Sequence, residues 1–240
     1  MRNMLPLVVG AVVIGGGAIA IYNATGGKNN PTTRSPPPAV AAQAVVSPAA
    51  AGTPVEAPKP AATFAKIDIA SDEIILGKND APVTIVEYAS MTCPHCARFH
   101  NDILPTIKSE FIDKGQVRLV FRDFPVDNLA LTAAVVARCA KPEQYFPFVD
   151  ALFASQDKWA RDSNPMLALS RIARLGGMSQ AKFETCLKDQ KITEKVLAQR
   201  LEADKTFGVR STPTIIVNGD LYGGGLPIDQ LRAVINSKLK

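Results

Sequence analysis

The sequence predicts an α/β domain that is interrupted by an all-helical insertion. Residues 81–124 contain two apolar, β-branched runs with a helical pattern between them, which indicates a β-α-β unit. From about residue 128 to 207 the patterns are helical, and residues 212–238 have the pattern of a β-hairpin followed by a helix. Two outer α/β parts therefore enclose the helices.

The first 22 residues are predicted to form a membrane segment. Leu5 to Tyr22 is almost wholly apolar and uncharged, and it reaches the ~18–20 residues that span a bilayer. Ala18-Ile19-Ala20 resembles a signal-peptidase site, so both an uncleaved anchor and a removed signal peptide stay open. Since Arg2 precedes the segment and the next charge is Lys28, the amino terminus should stay cytoplasmic and the remainder should be exported.

Residues 23–63 are predicted to be a disordered linker, rich in Ala and Pro. Stretches such as SPPPAV (35–40) and EAPKPAA (56–62) have no large apolar side chains that could build a core. A flexible chain of ~40 residues has a root-mean-square reach of roughly 35 Å. The linker would hold the folded part, predicted at residues 64–240, clear of a membrane surface.

Local signals place the elements of the folded part. APVTIVEYAS (81–90) and GQVRLVFRDF (115–124) are predicted to be buried parallel strands, joined by a helix that begins at Cys93 and ends near Phe111. The hairpin at 212–224 should turn at Asn218-Gly219, before a last helix. Helices of the insertion are predicted at 129–140, 145–155, 165–175, 180–189 and 193–207.

The net charge of +5 does not indicate a nucleic-acid partner. A protein that binds nucleic acid gathers its basic residues on one face or element, and here they are spread along the chain. The cysteines are more informative than the charge.

The motif Cys93-Pro94-His95-Cys96 follows directly after the first predicted strand. It is not a haem attachment site, because Ala97 rather than histidine follows Cys96. A structural zinc site needs four ligands, commonly two close pairs, and the other two cysteines are far apart in sequence. A Cys-x-x-Cys between a strand and a helix is typical of a redox dithiol, so we expect neither a metal nor a cofactor.

The two cysteines of the motif should have different roles. Cys93 lies at the helix amino terminus, where backbone N–H groups and the helix dipole favour a thiolate. Pro94 fixes the backbone as the helix begins, and a protonated His95 would add a second stabilising charge. Cys96, one turn further in, should be more buried and act as the resolving thiol. A stabilised Cys93 thiolate favours the reduced form and makes the oxidised form a stronger oxidant.

The stretch EYASMTCPHC (87–96) resembles the active-site stretch of the DsbA family of thioredoxin-fold, extracytoplasmic disulfide oxidoreductases. The resemblance covers about 64–240 and implies a thioredoxin fold with a helical insertion. It also implies that Glu87 is the family's acidic residue and that Pro213, in RSTPT, is its substrate-binding cis-proline. Thr212 departs from the valine of the best-known oxidases and is more typical of isomerase-like relatives.

Three single residues receive structural predictions. Glu87, on a core strand, should be either a buried proton acceptor near Cys96 or a strand-edge charge that faces water. His100 is expected to be a surface or packing residue, and Trp159 is expected to lie in the core.

Cys139 and Cys186 remain outside the motif. An even number of cysteines in an exported domain favours a second bond, and both residues lie on predicted helices of the insertion. The resemblance to the DsbA family also implies such a bond, since some of its members are expected to have one. A structural disulfide is expected, with two separate buried thiols as the alternative.

These features favour a thiol oxidase that donates the Cys93–Cys96 disulfide to reduced or misbonded exported polypeptides. A membrane redox partner would restore the disulfide, and residues 5–22 would hold the protein at the inner membrane, facing the periplasm. Two alternatives stay open. One is an isomerase or reductase of the same fold, for which Thr212 is the specific hint. The other is a redox-inactive, chaperone-like module that binds peptides.

Overall fold

The computed structural model describes residues 55–240. The predicted membrane segment, 5–22, and most of the predicted linker, 23–63, lie outside the described residues. Within residues 55–240, the helices are too short or too polar to cross a bilayer.

The described residues form a six-stranded mixed sheet with the order β1-β6-β5-β3-β4-β2. The strands are β1 (Ala62–Thr63), β2 (Ile75–Leu76), β3 (Val83–Ala89), β4 (Val117–Asp123), β5 (Thr214–Val217) and β6 (Asp220–Gly223). Strands β3 and β4 are parallel, and the other neighbouring pairs are antiparallel. The predicted β-α-β unit is therefore confirmed.

Strand β3 lies in the interior of the sheet and is covered on both faces. Six of its seven residues are buried, which explains why its sequence is a continuous apolar run rather than an alternating one. The charged residue within this run is Glu87, which pairs with Phe121 on β4 and Ile215 on β5. A carboxylate therefore lies in the middle of the core.

A continuous helical segment leads from β3 to β4 and begins with α1 (Pro94–Arg98). A wide π-helical turn follows at Phe99–Ile103, then α2 (Leu104–Ile107) and a second wide turn at Lys108–Ile112. Pro105 has no N–H to donate to the preceding turn, so the regular hydrogen-bond ladder opens there. The sequence predicts this segment as a helix, and the wide turns are the feature that it did not predict.

The insertion is helical, as predicted. Its elements are α3 (Asn128–Arg138), α4 (Pro142–Ala154), α5 (Gln156–Trp159), α6 (Pro165–Leu175), α7 (Gln180–Cys186) and α8 (Gln190–Phe207). Helix α4 begins earlier than expected because Pro142 occupies its first turn, where a missing N–H costs nothing. The short helix α5 was not predicted.

The chain ends with the predicted hairpin, β5 and β6, and with α9 (Ile228–Lys238). Asn218 and Gly219 both have positive φ, 44° and 94°, as a tight hairpin turn requires. Gly219 is also needed for space, because a Cβ there would lie 2.2 Å from the carbonyl oxygen of Phe64.

The two edge strands were not predicted, and β1 falls at the end of the predicted linker. Strand β1 lies inside the range 23–63, and Ala61 N–H already donates to the carbonyl of Leu221 at 2.8 Å. The ordered sheet therefore begins before Phe64. Strands of two residues are too short to show a periodic pattern, and their hydrogen bonds to a neighbouring strand define them.

Two apolar clusters cover the two faces of the sheet. The larger one joins the sheet to the segment after Cys93 and to the insertion, and it includes Cys96 and Trp159. Trp159 is 1% exposed, so its predicted place in the core is confirmed. The smaller cluster packs Tyr88 and Phe207 on the opposite face.

Candidate active site

The two cysteines of the motif lie where β3 passes into α1. Cys93 caps the helix with an extended backbone, and Pro94 is the first helical residue. The Cys93 N–H donates to the carbonyl of Ser90, and the Cys93 carbonyl accepts from Ala97 N–H. Both thiols are free; Cys93 is partly exposed and Cys96 is fully buried, which matches the expected difference in burial.

The Cys93 sulfur is surrounded by groups that favour the thiolate. A hydrogen bond from the Cys96 thiol is the main cause that lowers the pKa of Cys93 from its ordinary 9.0 to about 5, against the opposing effect of burial. The Thr212 side chain and the backbone N–H groups of Cys96 and His95 lower it further. At neutral pH, Cys93 is therefore a thiolate in the reduced protein.

Thr212, which lies with Pro213 just before β5, faces Cys93. Their peptide bond is cis, and the Cys93 Sγ lies 3.3 Å from the carbonyl oxygen of Thr212. A protonated Cys93 donates to this carbonyl, whereas a thiolate is stabilised by the Thr212 hydroxyl. The structure thus brings together residues that are 119 positions apart in the chain.

The Cys96 thiol has the opposite environment. Burial is the main cause that raises its pKa far above the ordinary value, and its hydrogen bond to Cys93 and the negative charge of Glu87 raise it further. Cys96 therefore holds its proton under conditions in which Cys93 has lost its own.

Glu87 is fully buried, so the alternative of a strand-edge charge facing water is wrong. Its Oε2 lies 2.9 Å from Nε2 of His100, and its Oε1 has no hydrogen-bond partner within the described part of the chain. The Nδ1 of His100 lies 3.4 Å from Oδ1 of Asp150 on α4. Burial disfavours the imidazolium, but the carboxylates of Glu87 and Asp150 outweigh burial and raise the pKa of His100 to about 9.

His100 and Gln156 are two buried polar residues that the sequence analysis did not place in the site. His100 follows Cys96 by four positions, a spacing that puts both residues on one helix face, so a signal was present. Gln156 donates from Nε2 to the carbonyls of Met91 (2.9 Å) and Cys93 (3.0 Å). It holds the active-site turn from α5, 63 residues away, and no local pattern indicates such a contact.

The side chains of Pro94 and His95 are exposed at the surface beside Cys93. A groove of about 500 Å³ opens next to Pro94, between the active-site turn and the insertion. Its lining includes Thr92, Pro94, Leu129, Gln156, Ala160 and Arg161.

Cys139 and Cys186 are bonded to each other. The bond joins the end of α3 to the last residue of α7, with the Cα atoms 6.1 Å apart. Within residues 55–240, no group of three or more His, Cys, Asp or Glu side chains is arranged to hold a metal ion.

Residues 70–237 match the family model described as thioredoxin. The chain is also 33% identical, over 177 residues, to a protein of Rickettsia bellii that is assigned by name as a protein-disulfide oxidoreductase. That match covers 73% of this chain and 68% of the relative. Across five such Rickettsia proteins the chain spans 57–68% of the relative's length.

Two solved structures are also similar to this chain. The crystal structure of alpha-DsbA1 from Wolbachia pipientis is similar with a TM-score of 0.67 and 34% identity, over 71% of this chain and 92% of that chain. A protein-disulfide isomerase from Novosphingobium aromaticivorans is similar with a TM-score of 0.62 and 25% identity, over 71% of this chain and 99% of that chain.

Proposed function

Since the chain belongs to the DsbA family of thioredoxin-fold disulfide oxidoreductases, we propose that it donates the Cys93–Cys96 disulfide to reduced, exported polypeptides. The observation that carries this proposal is the opposite displacement of the two thiol pKa values. The pKa of Cys93 is lowered to about 5 and that of Cys96 is strongly raised, by neighbours that differ for each sulfur.

The exchange proceeds in two displacements. A substrate thiolate attacks the exposed Sγ of Cys93, the Cys93–Cys96 bond breaks, and Cys96 receives the electron pair and a proton. A second substrate thiolate then attacks the mixed disulfide, which forms the substrate disulfide and expels the Cys93 thiolate. The low pKa of Cys93 makes it a good leaving group in this second step.

The lowered pKa of Cys93 favours donation of the disulfide to a substrate over reduction of a substrate disulfide. Each unit by which the Cys93 pKa, about 5, lies below pH 7 stabilises the reduced form by ~1.4 kcal/mol, which corresponds to ~30 mV in reduction potential. The contribution is at most roughly 60 mV at pH 7, and solvent screening at the partly exposed Cys93 reduces it. A stabilised reduced form makes the oxidised form a better donor.

Substrate contacts are proposed at two places beside Cys93. The backbone of Thr212 and Pro213 faces the reacting sulfur, and an extended peptide would pair with it. The groove beside Pro94 adds an apolar wall, Leu129 and Ala160, next to the exposed residues of the motif. Such contacts suit unfolded chains, which present extended backbone and apolar side chains together.

The location and the partners follow from the proposed reaction. The Cys139–Cys186 bond suits an oxidising, extracytoplasmic compartment. After each donation the dithiol has to be reoxidised, and a membrane redox partner is the proposed acceptor of its electrons. Residues 5–22 would keep the domain close to that partner at the inner membrane.

An isomerase is the second candidate, and two observations favour it. Thr212 precedes the cis-proline, and one similar solved structure is that of a protein-disulfide isomerase. An isomerase uses the reduced Cys93 thiolate to attack wrong disulfides, so it needs the same low pKa but a dithiol that stays reduced.

One pair of assays distinguishes the two functions. Oxidised full-length protein is mixed with a reduced, unfolded client that has several cysteines, and reduced protein is mixed with the same client carrying scrambled disulfides. We expect rapid client oxidation and slow unscrambling, and we expect Cys96→Ser to trap the client through Cys93. Efficient unscrambling with poor oxidation would replace the oxidase by the isomerase. Unchanged client binding and folding with Cys93→Ser would show that redox exchange is not the function.

A further inference from the structure

We propose that His100 and Asp150 form a proton relay that connects the buried Cys96 thiol, through Glu87, to solvent. The relay deepens the proposed function and rests on it, because it serves the proton that Cys96 exchanges in each cycle of disulfide donation and reoxidation.

Cys96 needs such a path because it is completely buried. When the Cys93–Cys96 bond is broken by a substrate thiolate, the Cys96 sulfur must receive a proton. When the dithiol is reoxidised, Cys96 must lose that proton before its sulfur can attack the mixed disulfide at Cys93. A thiol with no exposed surface cannot exchange the proton with water directly.

The structure provides a row of polar groups that leads outward from Glu87. The charge of Glu87 acts on the Cys96 thiol, and its Oε1 has no hydrogen-bond partner among residues 55–240, so the Cys96 proton is assigned to this oxygen of Glu87. Its Oε2 lies 2.9 Å from His100 Nε2, and His100 Nδ1 lies 3.4 Å from Asp150 Oδ1. The side chains of Glu87 and His100 are 0% and 1% exposed, whereas that of Asp150 is 59% exposed. The row therefore begins in the core and ends in water.

Aromatic side chains isolate the middle of this row. The His100 ring is stacked on Phe153 at 4.3 Å between centroids and meets Phe99 and Phe121 edge-on, at 5.8 and 5.6 Å. With this apolar wall around it, His100 has Glu87 and Asp150 as its two polar contacts in the described chain.

The Glu87–His100 pair can pass a proton without acquiring net charge. In the resting reduced protein, Glu87 is a carboxylate and His100 an imidazolium, since the pKa of His100 is raised to about 9 by its two carboxylate neighbours despite burial. When the Cys96 proton moves to Oε1, Glu87 becomes neutral and no longer supports the imidazolium. In the same step His100 releases its Nδ1 proton to Asp150 and solvent, so the pair does not acquire a positive charge. Both states of the pair are neutral, which a buried site requires.

Protons and electrons balance in both directions. During reoxidation, one proton enters the pair from Cys96 and one leaves at Nδ1, while the Cys96 thiolate bonds to Cys93 Sγ and expels the partner's thiolate. During donation, the Cys96 thiolate takes the proton from Glu87, and His100 recovers one at Nδ1. The alternation of the two half-reactions resets the relay.

The other titratable groups nearby do not offer a competing path. Glu87 on β3 and the Cys96 thiol on α1 belong to the proposed path itself, and the contact of His100 with β4 is the ring of Phe121. On α4 the groups are Asp150 and Tyr145. Burial raises the pKa of Tyr145 well above its ordinary value, so it stays neutral.

The test separates the two chemical steps of oxidation by glutathione disulfide. Reduced full-length protein is mixed with glutathione disulfide, quenched with acid, and analysed by mass spectrometry for the mixed disulfide at Cys93 and for the Cys93–Cys96 bond. In Asp150→Asn, the Cys93–Cys96 bond should close roughly tenfold more slowly than in the wild type at pH 7. The closure rate of this variant should increase with pH, because water and buffer must then accept the proton. Formation of the mixed disulfide should be unchanged.

Two matched variants complete the experiment. Glu143→Gln removes an exposed carboxylate from the same helix, α4, and should behave like the wild type. Asp150→Glu keeps the carboxylate and should restore most of the closure rate. If Asp150→Asn matches Glu143→Gln at every pH, or if it slows both steps equally, the relay is wrong while the proposed function stands. If the wild type forms no Cys93–Cys96 bond with glutathione disulfide, the proposed function itself fails.

Discussion

At the scale of single residues, the two thiols are distinguished by what surrounds each sulfur. Cys93 receives hydrogen bonds from the Cys96 thiol, from Thr212 and from backbone N–H groups, and it is partly exposed. Cys96 is enclosed in the core beside the charge of Glu87. A separation of three positions along the chain is enough to distinguish an attacking thiolate from a stored thiol, because Cys93 lies at the helix amino terminus and Cys96 lies in the core.

Replacing Thr212 tests the hydroxyl separately from the carbonyl. Thr212→Val removes the hydroxyl that stabilises the thiolate and keeps the carbonyl at 3.3 Å, so the pKa of Cys93 should rise from about 5 towards 9.0. The ultraviolet absorbance of the thiolate, followed in reduced protein across pH, measures this shift. Thr212→Ser keeps a hydroxyl and should titrate like the wild type.

The sign of the linked stability follows from the lowered pKa. Between pH 5 and 9 the unfolded chain holds a proton on Cys93 that the reduced native state has released, so stability rises with pH in that window. This contribution is complete above about 9 and is lost as pH falls through about 5; in Thr212→Val it should be lost at a higher pH. An unchanged titration curve in Thr212→Val would contradict the role of the hydroxyl.

At the scale of elements, the insertion contacts the active-site turn and is itself held by a covalent bond. The short helix α5 places Gln156 against the carbonyls of Met91 and Cys93, so the turn is attached to the insertion by two buried hydrogen bonds. The Cys139–Cys186 bond joins α3 to α7. The turn is thus positioned by the insertion as well as by β3.

Removal of the second bond should affect stability and leave exchange at Cys93 nearly unchanged. The bond closes a loop with a sequence separation of 47, so Cys139→Ala with Cys186→Ala should lower the free energy of unfolding by about 2–5 kcal/mol. Urea unfolding measures the loss, and glutathione exchange at Cys93 is the control. If oxidised protein, unfolded without reductant, were labelled at 139 and 186 by an alkylating agent, the bond would not be present in solution.

At the scale of the whole molecule, the redox domain is preceded by residues predicted to attach it to a membrane. The segment 5–22 and the linker 23–63 are predictions from the sequence, and the part of 23–63 that the structure describes ends in strand β1. An attached domain would work near the bilayer, where its proposed redox partner lies.

Fractionation of cells that produce the full-length chain tests this organisation. We expect the mature protein in the membrane fraction, with its amino terminus intact, because 5–22 is long and apolar enough to span the bilayer. Protease added from the periplasmic side should cut within the linker and release a folded domain that still exchanges disulfides. Recovery of a soluble mature form that begins at Ile21 would instead establish cleavage after Ala20.

Local features of the sequence are enough to predict the chemistry and most elements. The strand before Cys93, the helix after it and the Pro-His dipeptide together predict a redox dithiol, because the Cys96 thiol and the backbone N–H groups that stabilise the Cys93 thiolate belong to the same four residues. The pattern of apolar residues likewise predicts β3, β4 and the long helices, since a buried strand or helix face requires apolar side chains at a characteristic spacing.

Only the tertiary structure decided which distant groups complete the site. His100 meets Asp150 across 50 positions, and Cys93 meets Thr212 across 119, through contacts that depend on how helices and strands pack. The prediction of a surface or packing position for His100 missed its polar role, because no periodic pattern distinguishes a buried histidine with partners from one that only fills space. The edge strands and the bond between Cys139 and Cys186 have the same origin: each is fixed by a partner that is remote in sequence.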